Sequence, residues 1–166
     1  MNLGLLTIIT FLPTLGAVLL LFIGGKDNNS VNLVRWIALA VTLVTAVLSL
    51  WLWYQFDPTN TDFQFVENYA WIGDSIGYRM GVDGISVLFI PLTAVIMPAV
   101  IFASWTSITD RVREYMLVFL VLETFMIGAF ATLDLAMFYL FFEGTLIPMF
   151  LIIGIWGGKR RIQATY

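Results

Sequence analysis

Two glutamates interrupt the most apolar part of the sequence, and they are the residues best suited to chemistry. Glu143 lies within the run FYLFFEGTLIPMF, residues 138–150, and Glu123 lies in the apolar stretch before it. An ionised carboxylate at the centre of a bilayer costs roughly 2.5–3.5 kcal/mol on insertion scales, so such a group needs a partner, water or a bound proton. A carboxyl group removed from water takes up its proton nearer to neutral pH. The pair therefore predicts transfer of a proton or another cation.

The neighbours of Glu143 favour a hydrated site. Pro148 has no N–H, so the carbonyl of Gly144 loses its helical partner. Gly144 also leaves space for a neighbouring helix or for water. Tyr139 lies one turn before Glu143 on the same helical face and is a candidate hydrogen-bond partner. The competing interpretation is a satisfied hydrogen bond between helices, which would make the role of Glu143 structural.

Glu123 and two prolines are further candidates. Glu123 and Glu143 each lie about ten residues from the turn between their segments, roughly 15 Å at helical rise, so we expect them at similar depth. Helical spacing leaves open whether they face one another. Pro91 and Pro98 each free a backbone carbonyl. They are consistent with a kinked, hydrated path, or with prolines whose freed carbonyls are satisfied by neighbouring helices.

The composition requires a membrane as solvent. The 166-residue chain is 60% hydrophobic and 11% charged, with a mean hydropathy of +0.93. A soluble domain is close to half apolar and a quarter charged. Cysteine and histidine are absent, which excludes a disulfide scaffold and metal sites built from thiolates or imidazoles. We expect an all-α integral membrane protein that contacts lipid and binds no nucleic acid.

Five apolar segments are long enough to cross a bilayer as helices. They are residues 3–23, 33–54, 85–105, 115–132 and 134–156. The last two are divided at Asp134, whose side chain is suited to capping the fifth helix. We interpret residues 1–166 as a single membrane domain.

The basic residues predict an orientation. Seven of the eight fall in segments that alternating crossings place on one face, and basic loops lie on the inner side of membranes. The loop of residues 55–84 holds only Arg79 among basic residues, beside five acids. We therefore predict that the N-terminus and this loop are outside and the C-terminus inside. The aromatic stretches of the loop fit either a short hairpin or an interfacial aromatic belt with turns.

Three stretches of the sequence resemble a known family: MGVDGISVLFIPLT, REYM and DLAMFYLFFEGTLIPMFLIIGIWGGKRRIQATY. They are similar to the chain M family of proton-pumping NADH–quinone oxidoreductase, respiratory complex I, whose mitochondrial members are called NADH dehydrogenase subunit 4. The resemblance covers nearly the whole chain and is strongest from Gly81 onward. The wider superfamily includes subunits of cation/proton antiporters and of membrane-bound hydrogenases.

The resemblance implies a fold and a site. The family has about fourteen helices with two inverted five-helix repeats, of which this chain would be the N-terminal part of the antiporter-like fold. The resemblance implies that Glu143 takes part in proton translocation and pairs with a lysine of the seventh helix, which lies beyond Tyr166. It does not make Glu123 the hallmark residue of the family, although some relatives carry an acid there.

The resemblance also implies where the cofactors and partners are. FMN, the iron–sulfur clusters, NADH and quinone belong to other subunits, so no cofactor is expected in this chain. The partners would be other membrane-arm subunits, including neighbouring antiporter-like subunits. The location would be the bacterial cell inner membrane or the mitochondrial inner membrane.

Two other functions remain open from the sequence. One is a subunit of a multisubunit cation/proton antiporter or a membrane-bound hydrogenase, which would use the same acid without oxidation of NADH. The other is a non-catalytic membrane scaffold, in which Glu143 would have no part in transport.

Overall fold

The computed structural model describes residues 4–24 and 26–165. Its elements, in chain order, are α1 (Leu5–Leu21), α2 (Asn28–Gln55), β1 (Gln64–Ile72), β2 (Ile76–Val82), α3 (Ser86–Ser107), α4 (Val112–Ala131), α5 (Leu135–Trp156) and α6 (Arg161–Thr165). Helices α2 to α5 are long and apolar enough to cross a membrane, and α1 is a shorter apolar helix. The predicted helical membrane fold is confirmed.

The helix boundaries differ from the apolar runs in one instructive place. Helix α2 begins at Asn28 rather than at residue 33, because the polar residues of its first turn adopt helical geometry although they add nothing to hydropathy. Residue 3, where the first apolar segment begins in the sequence, lies outside the described residues.

The turn between α4 and α5 is held by Asp134, as the sequence predicts. Its Oδ1 accepts hydrogen bonds from the backbone N–H groups of Ala136 at 2.9 Å and Met137 at 3.3 Å. These N–H groups have no partner within the helix, so the carboxylate supplies what the first turn lacks. The N–H of Leu133 donates to the carbonyl of Arg79 at 2.8 Å, which joins this turn to β2.

Helices α4 and α5 approach closely at two glycines. A Cβ at Gly128 would lie 2.5 Å from the ring of Phe141, and one at Gly144 would lie 2.6 Å from the ring of Phe125. Small residues at these positions let each helix accept an aromatic ring of the other, which is how helices without a hydrophobic driving force pack in membranes.

The loop between α2 and α3 forms an antiparallel hairpin. Strands β1 and β2 pair in a register that joins Glu67 to Met80 and Ile72 to Ile76, with two irregularities along β1. Gly73 opens the turn with φ +62°, a left-handed conformation that glycine adopts without steric cost. The predicted outer face of this loop stays a prediction, since no membrane is present.

The hairpin is fixed to the start of α1 through Glu67. Glu67 is only 8% exposed, and its carboxylate accepts hydrogen bonds from the N–H of Thr7 at 3.1 Å and from the Thr7 hydroxyl at 2.7 Å. The hydroxyls of Thr7 and Tyr78 are 2.7 Å apart. Gly4 allows this approach, because a Cβ there would collide with the Glu67 carboxylate.

The buried apolar side chains form two clusters stacked along the helices. The hairpin-side cluster consists of Leu6, Ile9, Ala46, Leu52, Met80, Val82, Val87, Ile90, Ala94, Ile127 and Ala131. The loop-side cluster consists of Ala17, Leu20, Val34, Ala38, Ile101, Val112, Tyr115, Met116 and Leu120. The helices α1 to α4 contribute to both clusters, so the level between the two is the middle of the bundle.

Candidate functional site

Glu123 occupies the middle of the bundle. It lies on α4 between Leu120 of the loop-side cluster and Ile127 of the hairpin-side cluster. Its exposed fraction is 0%, and neither carboxyl oxygen has a hydrogen-bond partner among the residues that the structure describes. A buried polar group without a partner costs free energy, so this position calls for an explanation beyond packing.

Buried or half-buried threonines lie at the same level as Glu123 on three helices. We call them the hydroxyl layer: Thr10, Thr14, Thr42, Thr45 and Thr124. Thr10 and Thr14 separate the two clusters on α1, and Thr42 and Thr45 separate them on α2. The hydroxyl of Thr14 donates to that of Thr124 at 2.8 Å, which joins α1 to α4 beside Glu123.

The hydrogen bonds of the hydroxyl layer decide which form of a carboxyl group it suits. The hydroxyl of Thr10 donates to the carbonyl of Leu6 at 2.7 Å, and the hydroxyl of Thr42 donates to the carbonyl of Leu39 at 2.9 Å. Thr45 uses its proton in the same way, on a carbonyl of α2. These hydroxyls therefore present acceptor lone pairs rather than donors. A protonated carboxyl group donates to such acceptors, whereas an ionised one needs donors; in the layer only the hydroxyl of Thr124, which accepts from Thr14, keeps its own proton to donate.

Glu143 has a different setting on α5. It is half-buried, and within residues 4–24 and 26–165 it makes no hydrogen bond or ion pair. The candidate partner Tyr139 is 65% exposed and forms no hydrogen bond with Glu143. Only three described residues of α5 are buried, Met137, Phe141 and Pro148. Most of this helix, with Glu143 on it, is uncovered by the rest of the described chain.

The two glutamates do not face each other. Phe125 and Gly128 define the side of α4 that packs on α5. Glu123 precedes Phe125 by two residues, about 200° around a helix, so it projects from the opposite side of α4. The sequence leaves this relation open, and the structure separates the two acids by the body of α4.

Gly144 and Pro148, which the sequence associates with hydration of Glu143, make packing contacts, and their part in hydration stays a prediction. The ring of Phe125 fills the space beside Gly144 that the sequence left for a helix or water. Pro148 is buried and lines a cavity of ≈ 150 Å³. The lining is entirely apolar within the described residues, so it offers water no hydrogen-bonding partner there: Leu117, Val118, Val121, Phe125, Ile147, Pro148 and Leu151.

The two prolines of α3 do not interrupt the helix. Pro91 and Pro98 are both buried, and α3 runs through them from Ser86 to Ser107. Between them, the hydroxyl of Thr93 donates to the carbonyl of Phe89 at 2.9 Å. The carbonyl of Phe89 is not one of the two that the prolines free, which belong to Val87 and Ala94, so this bond leaves both interpretations of the prolines open.

Sequence reasoning missed the hydroxyl layer, although a signal was present. Thr10 and Thr14 are four residues apart and Thr42 and Thr45 three apart, so each pair shares a helical face. Polar residues that share a face in apolar helices predict a buried polar contact. No group of three or more histidine, cysteine or acidic residues suited to a metal ion occurs in the described part of the chain.

The fold and site define the chain as a multi-span membrane protein with one carboxyl group, that of Glu123, buried at mid-depth and a second, that of Glu143, half-buried. A family model described as NADH:quinone oxidoreductase/Mrp antiporter, transmembrane, matches residues 132–166. NADH-quinone oxidoreductase subunit M of Rhodobacter capsulatus is 53% identical over 98% of this chain and 32% of its own length. NADH-ubiquinone oxidoreductase chain 4 of Arabidopsis thaliana is 44% identical over 93% of this chain and 31% of its own length.

Solved structures share the fold. Respiratory complex I from Thermus thermophilus with bound NADH matches with a TM-score of 0.75 and 24% identity, over 97% of this chain and 31% of that one. An archaeal membrane-bound sulfane sulfur reductase matches with a TM-score of 0.78 and 18% identity, over 96% of this chain and 32% of that one. The chain is similar along more than nine tenths of its length to subunit M and chain 4 relatives, and it spans about a third of the length of the curated relatives it matches.

Proposed function

We propose that this chain is part of a proton-translocating membrane-arm subunit of NADH–quinone oxidoreductase, in the bacterial or mitochondrial inner membrane. The observation that carries the proposal is the 53% identity to a subunit M along 98% of the chain. The redox-driven enzyme would hold its FMN, iron–sulfur clusters, NADH and quinone in other subunits. The partners of this chain would be neighbouring membrane-arm subunits, including antiporter-like ones.

In this proposal Glu143 is a protonatable carboxylate of the transport path. Its face of α5 is uncovered by the described residues, and an ionised carboxylate facing lipid would cost roughly 2.5–3.5 kcal/mol. Helices of a full-length subunit therefore cover this face, and the lysine that the family resemblance implies on the seventh helix pairs with Glu143. Loss and gain of a proton at Glu143 would then follow the field of that lysine.

Glu123 is the second proton-carrying acid of the proposal. Its complete burial and its position beside the Thr14–Thr124 hydrogen bond place a carboxyl group within a polar layer at mid-depth. Because α4 separates the two acids, proton transfer between them would need water or a rearrangement of α4 and α5. Glu123 therefore acts on a branch of the path that is distinct from Glu143.

The test is Glu143→Gln in the full-length subunit within its assembled complex. The amide keeps the size of the side chain and removes the titrating proton, so we expect normal assembly on native gels and a strong loss of NADH-driven proton pumping in membrane vesicles. Glu114→Gln is the matched control, because Glu114 is an exposed acid paired with Arg113 at the end of α4. Normal pumping in Glu143→Gln would refute the role.

Two outcomes would favour the other functions. The family model also covers Mrp antiporters, and an antiporter subunit would be isolated in a complex that does not oxidise NADH. A scaffold would retain pumping in Glu143→Gln, whereas deletion of the chain would abolish assembly. The 53% identity to a subunit M of NADH-quinone oxidoreductase supports the respiratory function over both.

A further inference from the structure

We propose that a groove between α2 and α3 binds one anionic phospholipid, with its phosphate on Arg35 and an acyl chain against the groove. The groove has a volume of ≈ 360 Å³. It is lined by Trp36, Leu39, Phe102, Trp105 and Thr106.

The groove is placed at the depth where a lipid changes from headgroup to chain. Arg35 lies near the start of α2, and Trp105 lies near the end of α3, so both are at the end of the bundle that carries most of the basic residues. Leu39 is one helical turn deeper than Arg35, and Phe102 is one turn deeper than Thr106. The polar end of the groove is therefore at the interface and its apolar end points into the bilayer.

Two tryptophans shape the wall of the groove. The rings of Trp36 and Trp105 meet edge to face with centroids 5.1 Å apart, a favourable arrangement for aromatic pairs. The guanidinium carbon of Arg35 lies 5.9 Å from the centroid of the Trp105 ring, within range of a cation–π interaction. This contact holds the charge of Arg35 against Trp105, one of the residues that line the groove.

The charge of Arg35 is unmatched by any carboxylate in the described part of the chain. Its guanidinium donates to the carbonyl of Ile108 at 3.0 Å and, at a long 3.4 Å, to Asn32, while its Nε is buried without a partner. A guanidinium has five N–H donors, so most remain unused. A half-buried cation with spare donors is complementary to a phosphate, which guanidinium groups bind in a two-pronged geometry.

The apolar walls distinguish a lipid from free phosphate. A phosphate ion would use only Arg35, whereas a phospholipid also covers the exposed rings of Trp36 and Phe102. Basic residues near the inner membrane surface attract anionic lipids. An anionic phospholipid therefore satisfies both the unmatched charge and the exposed apolar surface.

The experiment uses the assembled complex with the full-length subunit in vesicles of phosphatidylcholine containing a photoactivatable phosphatidylglycerol. We expect crosslinks on α2 and α3 at the groove residues. Arg35→Gln should reduce their yield about tenfold, the size expected when a charge-assisted hydrogen bond is lost. Thr106→Trp fills the groove without changing charge and should reduce the yield similarly.

The matched control is Arg113→Gln, which removes one positive charge near the same end of the bundle. Arg113 donates to the carbonyl of Ile23 and pairs with Glu114, outside the groove, so this variant should keep the crosslinks. Equal losses in Arg35→Gln and Arg113→Gln would show only general attraction to the charged surface and would overturn the site. Suppression of the crosslinks by free inorganic phosphate would also overturn it, as would equal labelling by a photoactivatable phosphatidylcholine.

Discussion

At the scale of single residues, the two glutamates differ in what surrounds them. Glu123 is enclosed by its own chain at the level of the hydroxyl layer, whereas Glu143 is half-buried on a helix that the described chain leaves mostly uncovered. Neither carboxyl oxygen of Glu123 has a hydrogen-bond partner among the described residues, and an ionised carboxylate without donors is costly to bury, so the site suits the protonated form. We therefore test the two acids with separate substitutions and separate controls.

Replacement of Glu123 by glutamine keeps the size of the side chain and removes its titrating proton, so it separates the contribution of packing from that of proton transfer. Since the site already suits a neutral side chain, we expect Glu123→Gln to change the free energy of unfolding by less than about 1 kcal/mol. Proton pumping should fall by about a hundredfold, the lower end of the range for loss of a positioned acid or base. Thermal unfolding of the purified complex and pumping in vesicles measure the two effects.

The control for Glu123 is Thr14→Val, which removes the neighbouring hydrogen bond to Thr124 and leaves the acid in place. It should lower stability by about 1 kcal/mol and retain most of the pumping. If Glu123→Gln instead destabilises the protein by several kcal/mol, the carboxylate is ionised and paired, and its assignment as a resting neutral acid is wrong.

The sequence shows that these two positions are acidic, but it does not show from which side of its helix each acid projects. Helices α4 and α5 are apolar on nearly every face, so hydropathy does not tell which side meets a neighbour. The sequence therefore selected Glu143 and Glu123 as acids and could not predict that Glu123 projects away from α5. From the sequence alone, Arg35 is one of the basic residues that predict the orientation. Its contacts with Trp105 and Ile108, which are distant in the chain, are visible only in the structure.

At the scale of elements, the hairpin is joined to the α4–α5 turn as well as to α1. Asp134 accepts a hydrogen bond from the N–H of Gly77 at 3.3 Å and has Arg79 as an ionic neighbour at 3.8 Å. Thr132 pairs with Met80 in an isolated bridge. One carboxylate thus caps α5 and attaches β2 to it.

This attachment should depend on pH. The N–H of Gly77 is the largest cause that holds the pKa of the Asp134 carboxyl below its ordinary value, and the N–H groups of Met137 and Ala136 and the Arg79 guanidinium act in the same direction. A carboxyl whose pKa is lowered by folding stabilises the fold above its ordinary pKa, near 4. That contribution is lost as pH falls through the lower, folded value.

We expect hydrogen exchange of the hairpin amides to rise on acidification in the native chain, after correction for the intrinsic effect of pH. Asp134→Asn should exchange faster at neutral pH and show little further change in acid, because its amide does not titrate. The amides of α2 serve as the internal reference. A native-like exchange profile in Asp134→Asn at neutral pH would contradict the role of this carboxylate.

The element boundaries show where sequence patterns succeed. Asp134 was identifiable as a cap because it stands between two apolar runs that are together too long for one crossing. The hairpin stayed one of two alternatives, since its pairing relies on contacts with Thr7 and Asp134 that lie outside the loop. The apolar run predicts a shorter α2 than the structure shows, because the length of an apolar run measures the part of a helix in the membrane core and not the whole helix.

At the scale of the whole molecule, the distribution of charge predicts an orientation that the structure does not test. The loop carrying the hairpin is acidic and the opposite end is basic, so we expect the hairpin outside. The absence of native cysteine makes the chain a clean background for labelling. Thr61 and Thr109 are both exposed and lie at opposite ends of the bundle.

Single substitutions Thr61→Cys and Thr109→Cys test this orientation with a maleimide that cannot cross membranes. We expect labelling of Thr61→Cys in right-side-out vesicles or spheroplasts, and of Thr109→Cys only in inverted vesicles. Detergent-solubilised samples, in which both should react, control for reactivity. The reverse pattern would place the N-terminus inside.

The hairpin is hydrogen-bonded to α1 through Glu67 and to the α4–α5 turn through Asp134. It therefore connects α1, α4 and α5 at that end of the bundle. A rearrangement of α4 against α1, such as would expose Glu123 to a neighbouring helix, is restrained there by several hydrogen bonds at once. The helices would then separate least at the hairpin end of the bundle and most at the opposite end.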